Sequence, residues 1–243
     1  GIARLSWILP PLLLLAAAVT FGRGGVGYPL PPSRQPLFPS MRQVFADIAF
    51  RHLLTVFIAN GIAAALPATL FLFFVADVLQ LEKASGPLLA LYFIAGAASL
   101  PLWVKVSARF GRVFAWLAAM ALSILAFAGA SLLGSGDLWP FAAICIASGL
   151  ALGADLALPA AIAADLGERQ GQAGACFGVW NFVAKLNLAL AAGLSLPLLG
   201  ALGYVPGSGA GLPALTFAYA LLPLAFKAVA ALLLWRWRHS LEI

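Results

Sequence analysis

Residues 138–164 read LWPFAAICIASGLALGADLALPAAIAA, and the one charge in this run is Asp155. At about 1.5 Å of rise per residue a helix of that length reaches roughly 40 Å, more than the about 30 Å hydrocarbon core of a bilayer. A strand is excluded by the length of the run and by the need to satisfy every backbone group within lipid. The stretch therefore reads as a transmembrane helix carrying an acid near its middle.

Working outward by the same rule gives seven spans, at about 5–22, 53–76, 86–104, 113–134, 138–164, 174–201 and 212–235. The composition agrees: 63% of the 243 residues are hydrophobic, 9% are charged, and mean hydropathy is +1.03. Soluble domains run near 45–50% apolar and about 25% charged, so a soluble enzyme, a disordered chain and a disulfide-stapled secreted module are all excluded. The expected fold class is an all-α membrane protein with seven transmembrane helices. The chain opens on Gly1, without the features of a signal peptide, and is expected to lack its beginning.

Charge sets the expected orientation. Arg23, Arg34, Arg42, Arg51, Lys105, Arg109, Arg112, Arg169, Arg236 and Arg238 fall on one side of the spans, Arg4 and Lys83 on the other. Ten against two is a strong positive-inside signal. It places the N-terminus outside and the C-terminus in the cytoplasm, in a plasma membrane, most simply a bacterial inner membrane. The net charge of +6 is thus topological, and no basic cluster interleaved with aromatics points to nucleic acid. The first connection, 23–52, begins with Pro29, Pro31, Pro32, Pro36 and Pro39 and should be irregular there. Over 40–51, Met41, Val44, Phe45 and Ile48 recur at helical spacing opposite Arg42 and Asp47. That fits an amphipathic helix on the cytoplasmic surface, or an early start to the second span.

Three ionisable residues lie at membrane depth: Asp155, Lys185 and Lys227. Such groups are costly in lipid and are functional candidates by default. Asp155 and Lys185 each sit roughly 15 Å from the turn at 165–173, on sequential antiparallel helices. They are expected to face each other as a pair or to open around a polar ligand, giving both a role in coupling. Asn181 lies one turn before Lys185 on the same face, with Trp180 and Asn187 beside it. A cation, amides and an indole suit a ligand with hydroxyl or anionic groups. Asn60 is the other embedded amide, for ligand or for a helix–helix bond. Lys227, nine residues before Arg236, is expected to snorkel partly to the cytoplasmic interface.

Pro67, Pro101, Pro159, Pro197 and Pro223 each fall in a different span and are expected to interrupt it. Broken helices around a central polar site are typical of transporters. Gly149 and Gly153 form a small-xxx-small step for close helix contact. Catalytic chemistry finds little footing. His52 and His239 fall at helix ends, no His/Cys cluster suits a metal, and Asp165 with Glu168 reads as a solvated turn beside Arg169. No enzyme and no cofactor are expected.

The run Leu158-Pro159-Ala160-Ala161-Ile162-Ala163-Ala164-Asp165, then Gly174-Ala175-Cys176-Phe177-Gly178 and Asn181-Phe182-Val183-Ala184-Lys185-Leu186, resembles the glycoside–pentoside–hexuronide:cation symporters. That family lies within the major facilitator superfamily and includes the melibiose carrier and sodium-coupled lysophospholipid transporters. Asn60-Gly61, Leu66-Pro67-Ala68-Thr69, Gly203-Tyr204-Val205-Pro206 and Leu222-Pro223 also resemble it, so the likeness spans about residues 50–240. The resemblance implies helices six to twelve of a twelve-helix carrier, with domains at 1–22 (helix six), 23–52 (inter-half loop) and 53–239 (six-helix bundle). It implies symport of a sugar or glycoside with Na⁺ or H⁺ by alternating access, with lysophospholipid or another amphiphile as the alternative. Lys185 would lie near substrate and cation. Asp165, Arg169 and Arg109 would form a cytoplasmic gate, although Arg169-Gln170-Gly171-Gln172 departs from the family's Arg-Glu-Gly at that turn. The expected partners are the substrate, membrane lipid and an N-terminal half, which holds the family's cation carboxylates and is absent here. A seven-helix receptor or retinal protein, with a Schiff base at Lys227, is the remote alternative.

Overall fold

A computed structural model describes residues 37–242, together with isolated positions between 10 and 18; the rest of the expected span at 5–22 and the first connection up to residue 36 lie outside the described residues. Within 37–242 the chain is helical. In order come α1 (Leu37–Ala46), α2 (Ile48–Val78), α3 (Glu82–Phe110), α4 (Arg112–Ala130), α5 (Leu138–Arg169), α6 (Ala173–Ala201), α7 (Leu212–Arg236) and the short α8 (Arg238–Leu241). Helices α2 to α7 are long and apolar enough to cross a membrane. Among the described residues there are thus six spans; the seventh expected span is the one at 5–22.

The 40–51 segment resolves into both of its expected forms. α1 is a separate helix, and α2 starts at Ile48, five residues before the expected boundary. The break is a cap: Asp47 is extended at φ −70° and ψ 122°, and its Oδ1 accepts from Phe50 N at 2.8 Å. α1 does not lie free on a surface. Val44 is fully buried in the core, and α1 packs on α6, where Gln172 donates to Gln43 at 3.2 Å.

The prolines do not break the helices as expected. Pro67, Pro101, Pro159 and Pro197 sit inside continuous helices. Two π turns occur instead, at Phe74–Val78 and Phe217–Leu221. The second directly precedes Pro223, whose missing N–H leaves a carbonyl of the preceding turn free, so that turn widens. The two π turns pack together, Phe74 stacking on Tyr219 at 4.0 Å between ring centres.

Packing follows side-chain size. α3 and α5 form the most extensive contact, and there the residues are small. A Cβ on Gly149 would lie 2.3 Å from the Tyr92 carbonyl oxygen, and one on Gly153 2.0 Å from Ser99 Oγ. The expected close step at Gly149 and Gly153 is therefore real. α2 packs on α6 and α7, with a Cβ on Gly61 falling 2.1 Å from Asn187 Nδ2. α2 and α3 meet chiefly at the turn that joins them, where Phe74–Val78 contacts Glu82–Ala84. That leaves a wedge between them, closed behind by α4, α5 and α7.

Candidate functional site

The wedge ends on an ion pair. Lys227 Nζ of α7 bonds Asp155 Oδ2 of α5. Oδ1 of the same carboxylate accepts from Asn60 Nδ2 of α2 at 3.1 Å and from Trp116 Nε1 of α4 at 2.9 Å. Four helices therefore meet at one carboxylate. The Lys227 side chain is 2% exposed and that of Asp155 9%. Burying such a pair is tolerable only because the oxygens are met by N–H donors. Asn60, itself 2% exposed, keeps a buried Oδ1 with no partner among the described residues.

This corrects the expected pairing. Asp155 faces Lys227, not Lys185, and Lys227 turns into the bundle where snorkelling to the interface was expected. Lys185 and Asn181 share the exposed face of α6, and Asn181 Nδ2 bonds only the Phe177 carbonyl of its own helix, at 2.9 Å. Trp180 turns inward and stacks on Phe57 of α2 at 3.6 Å. Asn187, also inward, donates to the Phe57 carbonyl at 3.4 Å. Spacing put these residues near one depth, but the face of α6 that turns inward carries Val179, Trp180, Val183 and Asn187, with Asn187 fitted against Gly61.

Toward the end away from Arg112 and Arg236, the wedge is a cavity of about 170 Å³ with Asp155 and Lys227 in its lining. Its walls carry Phe71, Tyr92, Phe93, Phe127 and Tyr219. Ser123 and Ser148 add hydroxyls; Ser148 bonds its own helix, while Tyr92, Ser123 and Tyr219 form no side-chain hydrogen bond among the described residues. Its lining includes Ala68 of α2 and Phe93 of α3, both exposed. Mostly apolar aromatic walls with a few converging polar groups are the ordinary make-up of a small-molecule site. Neither Trp116 nor the Tyr92 and Tyr219 walls were expected from the sequence, since an aromatic in an apolar span carries no mark of where it points.

The two ends of the bundle are tied differently. At the basic end, Arg112 bonds both Asp165 and, at 3.2 Å, the Ala161 carbonyl. The expected gate of Asp165 with Arg169 and Arg109 is not assembled: Asp165 pairs with Arg112, Arg169 is exposed, and Arg109 lies over the Phe110 ring at 5.3 Å. Arg112 starts α4 beside the last turns of α5, whereas Arg169 ends α5 and points away. At the other end Asp77 of α2 accepts from Tyr204 Oη and, at 3.0 Å, from Gly207 N, both in the α6–α7 loop. Burial and the neighbouring Asp77 raise the Tyr204 phenol above its ordinary value. No group of three or more His, Cys, Asp or Glu that could hold a metal occurs among the described residues.

The profile of the MFS/sugar transport protein family matches residues 29–240, most of the chain. The chain belongs to that family. No curated protein matches it. A major facilitator chain is a membrane transporter, and the six membrane-length helices around the Asp155 wedge are the frame expected of one.

Proposed function

We propose that this major facilitator chain is the C-terminal part of a cation-coupled sugar or glycoside symporter that works by alternating access. The described spans α2 to α7 would be helices seven to twelve. The observation that carries this reading is the Asp155–Lys227 pair, buried at membrane depth and opening on an aromatic-walled cavity. Aromatic faces suit the C–H faces of a pyranose, and hydroxyls with an ammonium suit its oxygens. The basic end would be cytoplasmic, since Arg51, Lys105, Arg109, Arg112, Arg169, Arg236 and Arg238 gather there against Lys83 at the other.

Lys185 fits the same reading from outside the bundle. It stands twelve residues into α6, roughly 18 Å along the helix, and is exposed. An ammonium at that depth is too costly against lipid, so this face of α6, with Asn181, would line a water-filled cleft shared with the other half. The apolar part of the cavity wall, Phe71, Phe93 and Phe127, favours an amphipathic substrate as the second reading. The test is uptake of a panel of labelled methyl glycopyranosides into membrane vesicles under a Na⁺ or H⁺ gradient. Gradient-driven uptake lost in Asp155→Asn supports the symporter. No uptake of any glycoside, with retention of a labelled lysophospholipid, moves the assignment to amphiphiles.

A further inference from the structure

Given the symporter reading above, the choice of coupling ion turns on what surrounds Asp155. Both carboxylate oxygens are held by N–H groups: Lys227 Nζ on Oδ2, Asn60 Nδ2 and Trp116 Nε1 on Oδ1. A sodium ion is a hard cation that needs a shell of oxygen ligands, and here it would have to displace all three donors and an ammonium of its own charge. A proton needs one lone pair. The other titratable or charged groups that face the cavity are the phenols of Tyr92 from α3 and Tyr219 from α7 and the Cys145 thiol from α5. α2 and α4 present neutral Asn60 and Trp116, and α6 makes no bond to the carboxylate.

We infer that Asp155 is a proton-binding site of this protein, does not bind Na⁺ there, and links proton to substrate through Lys227 and Asn60. The step is a simple protonation: the carboxylate takes H⁺ from water in the cavity and becomes a neutral acid. Asn60 can serve both forms, because an amide carries a donor and an acceptor on one carbon. It donates N–H to the carboxylate; turned about its Cβ–Cγ bond, its oxygen accepts the new O–H. The turn breaks no other bond of that oxygen, which is buried and unpartnered. Lys227 then loses its counter-charge while still lining the cavity. A substrate oxygen that accepts from the ammonium favours the protonated acid, and by reciprocity the protonated acid favours that substrate. Proton and neutral polyol ligand are thereby bound together, which is symport.

The first experiment needs no substrate. Infrared difference spectra of the purified protein are recorded in steps from alkaline to acid pH. A buried-acid C=O band that is absent from Asp155→Asn is expected. In Asn60→Leu the band should persist but move to higher frequency, because the acid has lost its acceptor; a merely structural Asn60 would leave it in place. Replacing choline by Na⁺ at fixed pH should leave the band unchanged. Absence of any Asp155-dependent band overturns the inference, as does its removal by Na⁺. If Asp155→Asn fails to fold, Asp155→Asn with Lys227→Gln removes the unpaired ammonium and gives the same readout. Uptake of the methyl glycopyranosides is then followed with a pH dye inside the vesicles. Failure there with the band intact rejects the sugar, not the proton site.

Discussion

Removing one lysine should cost far more than removing the other, although both are single ammonium groups within membrane spans. Lys227→Met takes away the counter-charge of a carboxylate that is 9% exposed, while its partners Asn60 and Trp116 are 2% and 0% exposed. Breaking a buried pair by deleting one partner costs about 3–5 kcal/mol. For a chain of this size, 1 kcal/mol corresponds to about 2–4 °C in melting temperature, so the loss should be about 6–20 °C. Lys185 is exposed and bonds nothing among the described residues, so Lys185→Met should shift the midpoint by less than about 2 °C. The assay is thermal aggregation of a fluorescently tagged protein in mild detergent, read by size exclusion after heating. Asp155→Asn combined with Lys227→Met should recover most of the loss. The Asn Oδ1 still accepts from Asn60 and Trp116, and no charge remains buried. The reasoning is refuted if Lys227→Met melts no lower than Lys185→Met, or if the double variant is worse than Lys227→Met alone.

Other contacts make their own predictions. Gly149→Val places side-chain atoms where even a Cβ lies 2.3 Å from a backbone carbonyl; it should force α3 from α5 and destabilise by about 1–3 kcal/mol, seen as a lower midpoint in the same assay. Gly178→Ala meets nothing within 4 Å and should be neutral. Tyr204→Phe removes the bond to Asp77, costing about 1.5–3 kcal/mol. The folded phenol titrates above its ordinary value of about 10. The stabilisation should therefore be complete below that pH and disappear as pH rises through the folded value; a wild-type minus Tyr204→Phe difference that changes between pH 6 and pH 9 would count against the bond. Arg112→Gln should weaken the α4–α5 end and Arg169→Gln should not, because it is Arg112 that bonds Asp165 and the Ala161 carbonyl; limited proteolysis of the α5–α6 turn separates the two.

Much of the architecture was legible because it rests on one-dimensional signals. Run length, charge sidedness and the Gly149–Gly153 step each need only neighbours in sequence. The boundary at Asp47 was missed because the apolar spacing of Val44, Phe45 and Ile48 runs across it, and only the Asp47 cap to Phe50 divides the two helices. Within the site, Asp155 and Asn60 could be picked out as polar groups in apolar spans. Their partner could not. Asp155 is thirty residues from Lys185 and seventy-two from Lys227, and chain proximity favoured the wrong lysine. The face that α6 turns inward includes Asn187 fitted against the missing Cβ of Gly61, a three-dimensional match with no trace in either segment alone. Trp116 lies in the apolar run 113–122, which carries no mark of the carboxylate it meets.

The same packing explains why a cavity persists in so apolar a bundle. Leu, Phe and Ala interiors ordinarily close to native density, and the wedge would close if α2 could slide toward α3. Two features oppose that. At its floor, Asn60 of α2, Trp116 of α4 and Lys227 of α7 all bond Asp155 of α5, so moving α2 alone strips a donor from a buried carboxylate. Near its other end, the π turns of α2 and α7 are locked by the Phe74–Tyr219 stack, and Asp77 holds the α6–α7 loop. α2 is thereby tied to α7 and α6, while the small residues tie α3 to α5. Collapse of the wedge would have to move one couple against the other as a unit, straining the bonds from Asn60 and Lys227 to Asp155 that join them at the floor. On the alternating-access reading proposed above, two tied couples with a gap between them are what rocking needs, since the gap must keep its shape while the bundle moves. The cost of that design is concentrated at Asp155, where one lost donor is felt by four helices.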